Sequence, residues 1–92
     1  MKVKLQDALF NWLQIKLVAD ARPDDGAAKE TQDFFEQILR EDHHVTAFDV
    51  DRKDETMIHI TYTVEGATKR QMFDRESAEQ LLADIESNPK YN

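Results

Sequence analysis

The spacing of apolar residues predicts a two-layer α+β domain with the order helix, helix, strand, strand, strand, helix, a three-stranded antiparallel sheet carrying its helices mainly on one face. Three observations lead to it. The run Thr56 to Val64, TMIHITYTV, alternates Ile58, Ile60, Tyr62 and Val64 with Met57, His59, Thr61 and Thr63, the two-residue period of a half-buried strand. Thr31, Phe34, Phe35, Ile38 and Leu39 recur at the three- and four-residue spacing of one helical face. Ninety-two residues, 40% hydrophobic and 34% charged, can build one hydrophobic core and not two, so residues 1–92 are expected to form a single domain.

Taken from the start, Lys4 to about Asp20 reads as a helix without glycine or proline. Its apolar residues are not confined to one stripe. Leu5, Ala8, Leu9, Trp12, Ile15 and Ala19 fall on one side and Phe10, Leu13 and Leu17 on an adjacent one, leaving Lys4, Asp7, Asn11 and Gln14 as a polar strip that Val18 interrupts. Such a helix should contact two different things. Ala21-Arg22-Pro23-Asp24-Asp25-Gly26 breaks it, since Pro23 pushes Arg22 out of the helical region, and either aspartate can cap the next helix, about Ala27 to Glu41.

Asp42, His43 and His44 lead into a strand from about Val45 to Val50, and Asp51-Arg52-Lys53-Asp54 reads as a polar hairpin turn. Pairing Phe48 with Ile58 puts the apolar sets of both strands on one side. After Val64, a three-residue loop Glu65-Gly66-Ala67 would pair Val64 with Thr68, Tyr62 with Arg70 and Ile60 with Met72, turning Lys69, Gln71 and Phe73 to the opposite side. Arg70 would then snorkel past Tyr62. Asp74 caps a last helix with the stripe Ala78, Leu81, Leu82 and Ile85, which Asn88-Pro89 stops before the tail Lys90-Tyr91-Asn92.

Net charge is −7, unevenly spread. Through Arg22, four bases (Lys2, Lys4, Lys16, Arg22) face two acids (Asp7, Asp20); the rest carries −9. An acidic body without clustered bases repels phosphate backbones, which disfavours nonspecific nucleic-acid binding. The absence of cysteine removes disulfides and thiol chemistry and fits a cytoplasmic protein. Asp7, Asn11, Gln14 and Lys16 interrupt what could pass for a signal peptide ending at Ala19-Asp20-Ala21, so the mature protein is expected to be the whole chain, and no apolar run has membrane-spanning length.

Chemistry-bearing patterns are few. His43 and His44 beside Asp42, with Asp49, Asp51 and His59, form the one grouping of metal-ligand types, but adjacent strand-like residues point apart, and no metal is expected. Asp49 to Glu55 lacks the glycine at the sixth position of a calcium loop, and Ile60 stands where its last glutamate belongs. Only Gly26 and Gly66 are present, too few for a phosphate-cradling loop, and the two serines, Ser77 and Ser87, belong to the last helix. Neither catalysis nor a cofactor is expected.

From the second helix onward the order helix, three strands, helix is similar in topology to the double-stranded RNA-binding domain, over roughly the last 65 residues. That family grips phosphates with a lysine-rich start to its last helix; the corresponding Asp74-Arg75-Glu76-Ser77-Ala78-Glu79 is acidic on balance, and the resemblance stops at topology.

The functional expectation is an acidic protein-interaction or regulatory module, most simply a homodimer through the first helix, with Leu9, Phe10, Trp12, Leu13 and Leu17 at the interface with its copy or another protein. The alternative within one chain is that sheet and helices cover both sides of that helix. A second functional expectation is nucleic-acid or anionic-ligand binding through an exposed sheet face of Met57, His59, Thr61, Lys69, Gln71 and Phe73.

Overall fold

In the computed structural model, which describes residues 3–87, α1 spans Leu5–Ala21, α2 Gly26–Glu41, β1 Val45–Lys53, β2 Met57–Val64, β3 Ala67–Asp74 and α3 Arg75–Ser87. The expected helix stop at Asn88-Pro89 and the tail Lys90-Tyr91-Asn92 lie outside the described residues. The strands form one antiparallel sheet in the order β1-β2-β3, and the α+β order is the one the sequence predicts.

The helix starts follow from local chemistry. Asp25 caps α2, its Oδ1 accepting the backbone N–H of Ala28 at 3.0 Å, and Asp74 caps α3, its Oδ2 accepting from the backbone N–H and the hydroxyl of Ser77 at 2.9 and 3.0 Å. Between α2 and β1, His43 donates from Nε2 to the Val3 carbonyl at 2.6 Å and His44 takes a left-handed φ of 58°, so the two histidines serve the connection.

Both hairpins differ from expectation, with different consequences. Phe48 lies opposite Tyr62 and Val50 opposite Ile60, not Phe48 opposite Ile58. Two irregularities, between Val45 and Ala47 and between Val50 and Arg52, absorb extra residues, β1 runs on to Lys53, and the turn falls at Asp54-Glu55-Thr56, closed by Asp54 N–H to the Met57 carbonyl at 2.7 Å. At Phe48 and Val50 the offset is even, so the apolar sets still share a side.

The β2–β3 offset is odd. Glu65 (φ 51°) and Gly66 (φ 81°) form a two-residue turn with both central φ angles positive, the type I′ geometry that matches strand twist. Val64 therefore pairs with Ala67, Ile60 with Gln71 and Ile58 with Phe73. One residue fewer in the loop reverses every side chain of β3. Arg70 and Met72 go to the outer side, and the awkward burial expected of Arg70 disappears.

α1 lies against the Ile58-Ile60-Tyr62 side of the sheet with α2 and α3 beside it, α2 leaning on β1 and α3 on β3 and β2. Leu9, Trp12 and Leu13 of α1 join Leu39, Val45, Ile58, Ile60 and Tyr62 in the main core. Trp12 meets Phe48 edge-on at 5.2 Å between ring centroids, and Phe10 packs on Phe73 at 5.3 Å. A second cluster, Ile15, Val18 and Ala28 with Phe35, Leu81, Leu82 and Ile85, joins the three helices to one another. On α2 the expected stripe is rotated: Leu39 is buried and Phe35 half-buried, while Phe34 is 57% exposed, because the helix turns Ala28, Phe35 and Leu39 inward.

Ile60 is fully enclosed on the central strand. Ile60→Ala should cost about 2–5 kcal/mol, read as a lower urea midpoint at unchanged slope; an unchanged midpoint would contradict its central place. At the I′ turn, Glu65→Asn should raise the melting temperature, since asparagine tolerates a left-handed backbone better than glutamate, and Gly66→Ala should lower it.

Candidate functional site

Four of the five α1 residues expected at an interface are spent inside the chain. Leu9, Trp12, Leu13 and Leu17 are buried in the main core, and Phe10 is half-buried against Phe73. The two sides of α1 contact two different things, as their width requires, and both are parts of this chain: the sheet and the other helices. Leu9, Trp12, Leu13 and Leu17 therefore offer no surface to a second copy or another protein, because packing in the core has covered them.

The expected sheet face is also redrawn. Lys69, Gln71 and Phe73 share the helix side with their partners Tyr62, Ile60 and Ile58, as the two-residue turn dictates. Met57, His59 and Thr61 stay on the other side, with Ala47, Asp49, Arg52, Arg70 and Met72 around them. Met72 is 51% exposed, yet His59 is only 7% exposed. Its cover comes from long neighbours: Arg52 and Met72 flank it on either strand, and Arg70 on β3 reaches across β2 to Asp51, guanidinium to carboxylate at 3.4 Å.

His59 donates from Nε2 to Asp54 Oδ2 at 2.7 Å, tying the middle of β2 to the hairpin turn. Arg52 stands 3.5 Å from the same carboxylate, and Arg75, the first residue of α3, donates from Nη1 to the Asp54 carbonyl at 2.9 Å. The hydrogen bond from His59, opposed by desolvation and aided by the charge of Arg52, holds the Asp54 carboxyl below its ordinary range. This turn is a structural clasp joining β1, β2 and α3.

A second polar network lies where α1, α2 and β1 meet. Trp12, 2% exposed, donates its indole N–H to Glu36 Oε2 at 3.0 Å; Gln32 donates to the same oxygen at 3.1 Å, and Arg40 stands 3.8 Å from Glu36 while lying 5.2 Å above the Phe48 ring. Every group here has a partner within the chain.

A groove of about 800 Å³ opens where the end of α1, the start of α2 and the second half of α3 converge. Ile15 and Val18 form its floor, Ala27 and Thr31 its α2 wall, and Leu81 and Ile85 its α3 wall. Arg22, Pro23, Asp24 and Asp25 close one end. Phe34, one turn beyond Thr31 on the same side of α2, continues the apolar strip into solvent. The spacing of Leu81 and Ile85 marks a helix face in the sequence, but only the fold shows that Ala78 alone on α3 is fully covered, leaving Leu81 and Ile85 half-buried.

No family model matches the chain, and neither a curated protein nor a solved structure matches it.

A group whose folded pKa is depressed adds stability above its ordinary range and loses it as the pH falls through the lowered value. The melting-temperature gap between the wild type and Asp54→Asn should therefore close as the pH falls through and below the ordinary carboxylate range. A gap independent of pH would refute a stabilising role for the ionised Asp54.

Proposed function

We propose that this chain is a non-catalytic module that binds another protein through the groove between α1, α2 and α3. The observation that carries the reading is the groove itself. Apolar side chains from three helices wall it, and exposed Phe34 prolongs one wall, a concave apolar surface of the kind that takes up a partner. A chain without cysteine supports a cytoplasmic setting. Among the described residues no helix is long and apolar enough to cross a membrane.

Anion or nucleic-acid binding through the outer sheet side has less support. Its two arginines, Arg52 and Arg70, are paired with Asp54 and Asp51, and Lys69 has moved to the helix side. With α1 enclosed, the partner is read as a different protein, because a copy carrying the same −7 charge would meet like charge.

Selection of a displayed random-peptide library against the immobilised chain tests the site. Enriched peptides should lose at least tenfold in affinity on Thr31→Arg, which blocks the groove from an exposed position, and keep their affinity on Met72→Glu on the outer sheet side. Peptides indifferent to Thr31→Arg, or lost with Met72→Glu, would overturn the groove as the binding surface.

A further inference from the structure

Resting on that reading, we infer that the groove accepts a basic amphipathic helix, a short segment of a partner protein with one apolar stripe flanked by lysine or arginine. Shape is the first argument. Both walls are helix faces that offer side chains one turn apart, Ala27 and the methyl-bearing Thr31 on α2 and Leu81 and Ile85 on α3, and ridges of this kind seat the side chains of another helix. From Ala27 to Phe34 the α2 wall runs about 10 Å, roughly two turns of a bound helix.

Charge is the second argument, and it selects the partner. On α2, α3 and the connection before α2, three of the four bases are already neutralised: Arg22 by Asp25 at 3.4 Å, Arg40 by Glu36 at 3.8 Å and Arg75 by Glu79 at 3.0 Å. Only Lys29 remains. On the same elements Asp24, Glu30, Asp33, Glu41, Asp84 and Glu86 have no cation within salt-bridge distance among the described residues. The walls of an apolar groove thus stand in a negative field that attracts a cationic helix and repels an acidic one.

Three synthetic 18-residue peptides test this: a leucine-striped helix with lysine flanks, the same helix with glutamate flanks, and the lysine peptide scrambled to destroy the stripe. Binding is read from amide chemical shifts of the isotope-labelled chain. The lysine helix should move the signals of Ile15, Val18, Thr31, Leu81 and Ile85, bind at least tenfold more tightly than either control, weaken with added salt, and be lost on Thr31→Arg. Equal binding of the glutamate helix, or shifts spread over the acidic surface away from the groove, would overturn the inference. If the library yields groove-dependent ligands while the lysine helix fails, the helix inference falls alone; if no ligand depends on the groove, the functional reading falls with it.

Discussion

The packing of α1 on the Ile58-Ile60-Tyr62 side of the sheet is the constraint on which the rest of the molecule depends. Buried side chains of α1 reach the sheet through Leu9, Trp12 and Leu13 and the other helices through Ile15 and Val18. At about 1.5–3 kcal/mol for each fully buried large aliphatic side chain, no other element contributes as much to the core. Its one polar interior group, the indole N–H of Trp12, is matched by Glu36. Once α1 occupies the centre, α2 and α3 can only flank it, and the notch where their ends diverge around Val18 becomes the groove. The candidate site is thus a by-product of enclosing one helix that is apolar nearly all round.

Element types and order were legible in the residues because each has a strong local signature: Ile58, Ile60 and Tyr62 at period two, Phe35 and Leu39 at period four, Asp25 and Asp74 at helix starts. Register was not. Glu65-Gly66 lacks the Asn-Gly signature of a I′ turn, and nothing in glutamate announces a φ of 51°. A loop read one residue too long then moved Lys69, Gln71 and Phe73 to the wrong side. In β1, the irregularities beside Val45 and Val50 leave no compositional trace, so its pairing was displaced as well.

The candidate site was less legible for a different reason. Helical periodicity says which residues share a face, not whether the fold supplies enough neighbours to cover it. Thr31 and Phe34 belong to the same stripe as Phe35 and Leu39, yet the angle at which α2 leans on α1 and β1 buries Leu39, half-buries Phe35 and leaves Thr31 and Phe34 in solvent. The width of α1 was read correctly as two contact surfaces, and only the fold could show that both surfaces are internal.

Enclosure of α1 also has a consequence in time. During synthesis α1 leaves the ribosome before the other elements, carrying Leu9, Phe10, Trp12, Leu13 and Leu17, and the surfaces that cover them are completed only when α3 ends at Ser87, 66 residues after Ala21. At about 5–20 residues per second, the nascent helix waits several seconds with its apolar circumference open. The segment most protected in the finished molecule is therefore the one whose apolar surface stays open longest while the chain is being made.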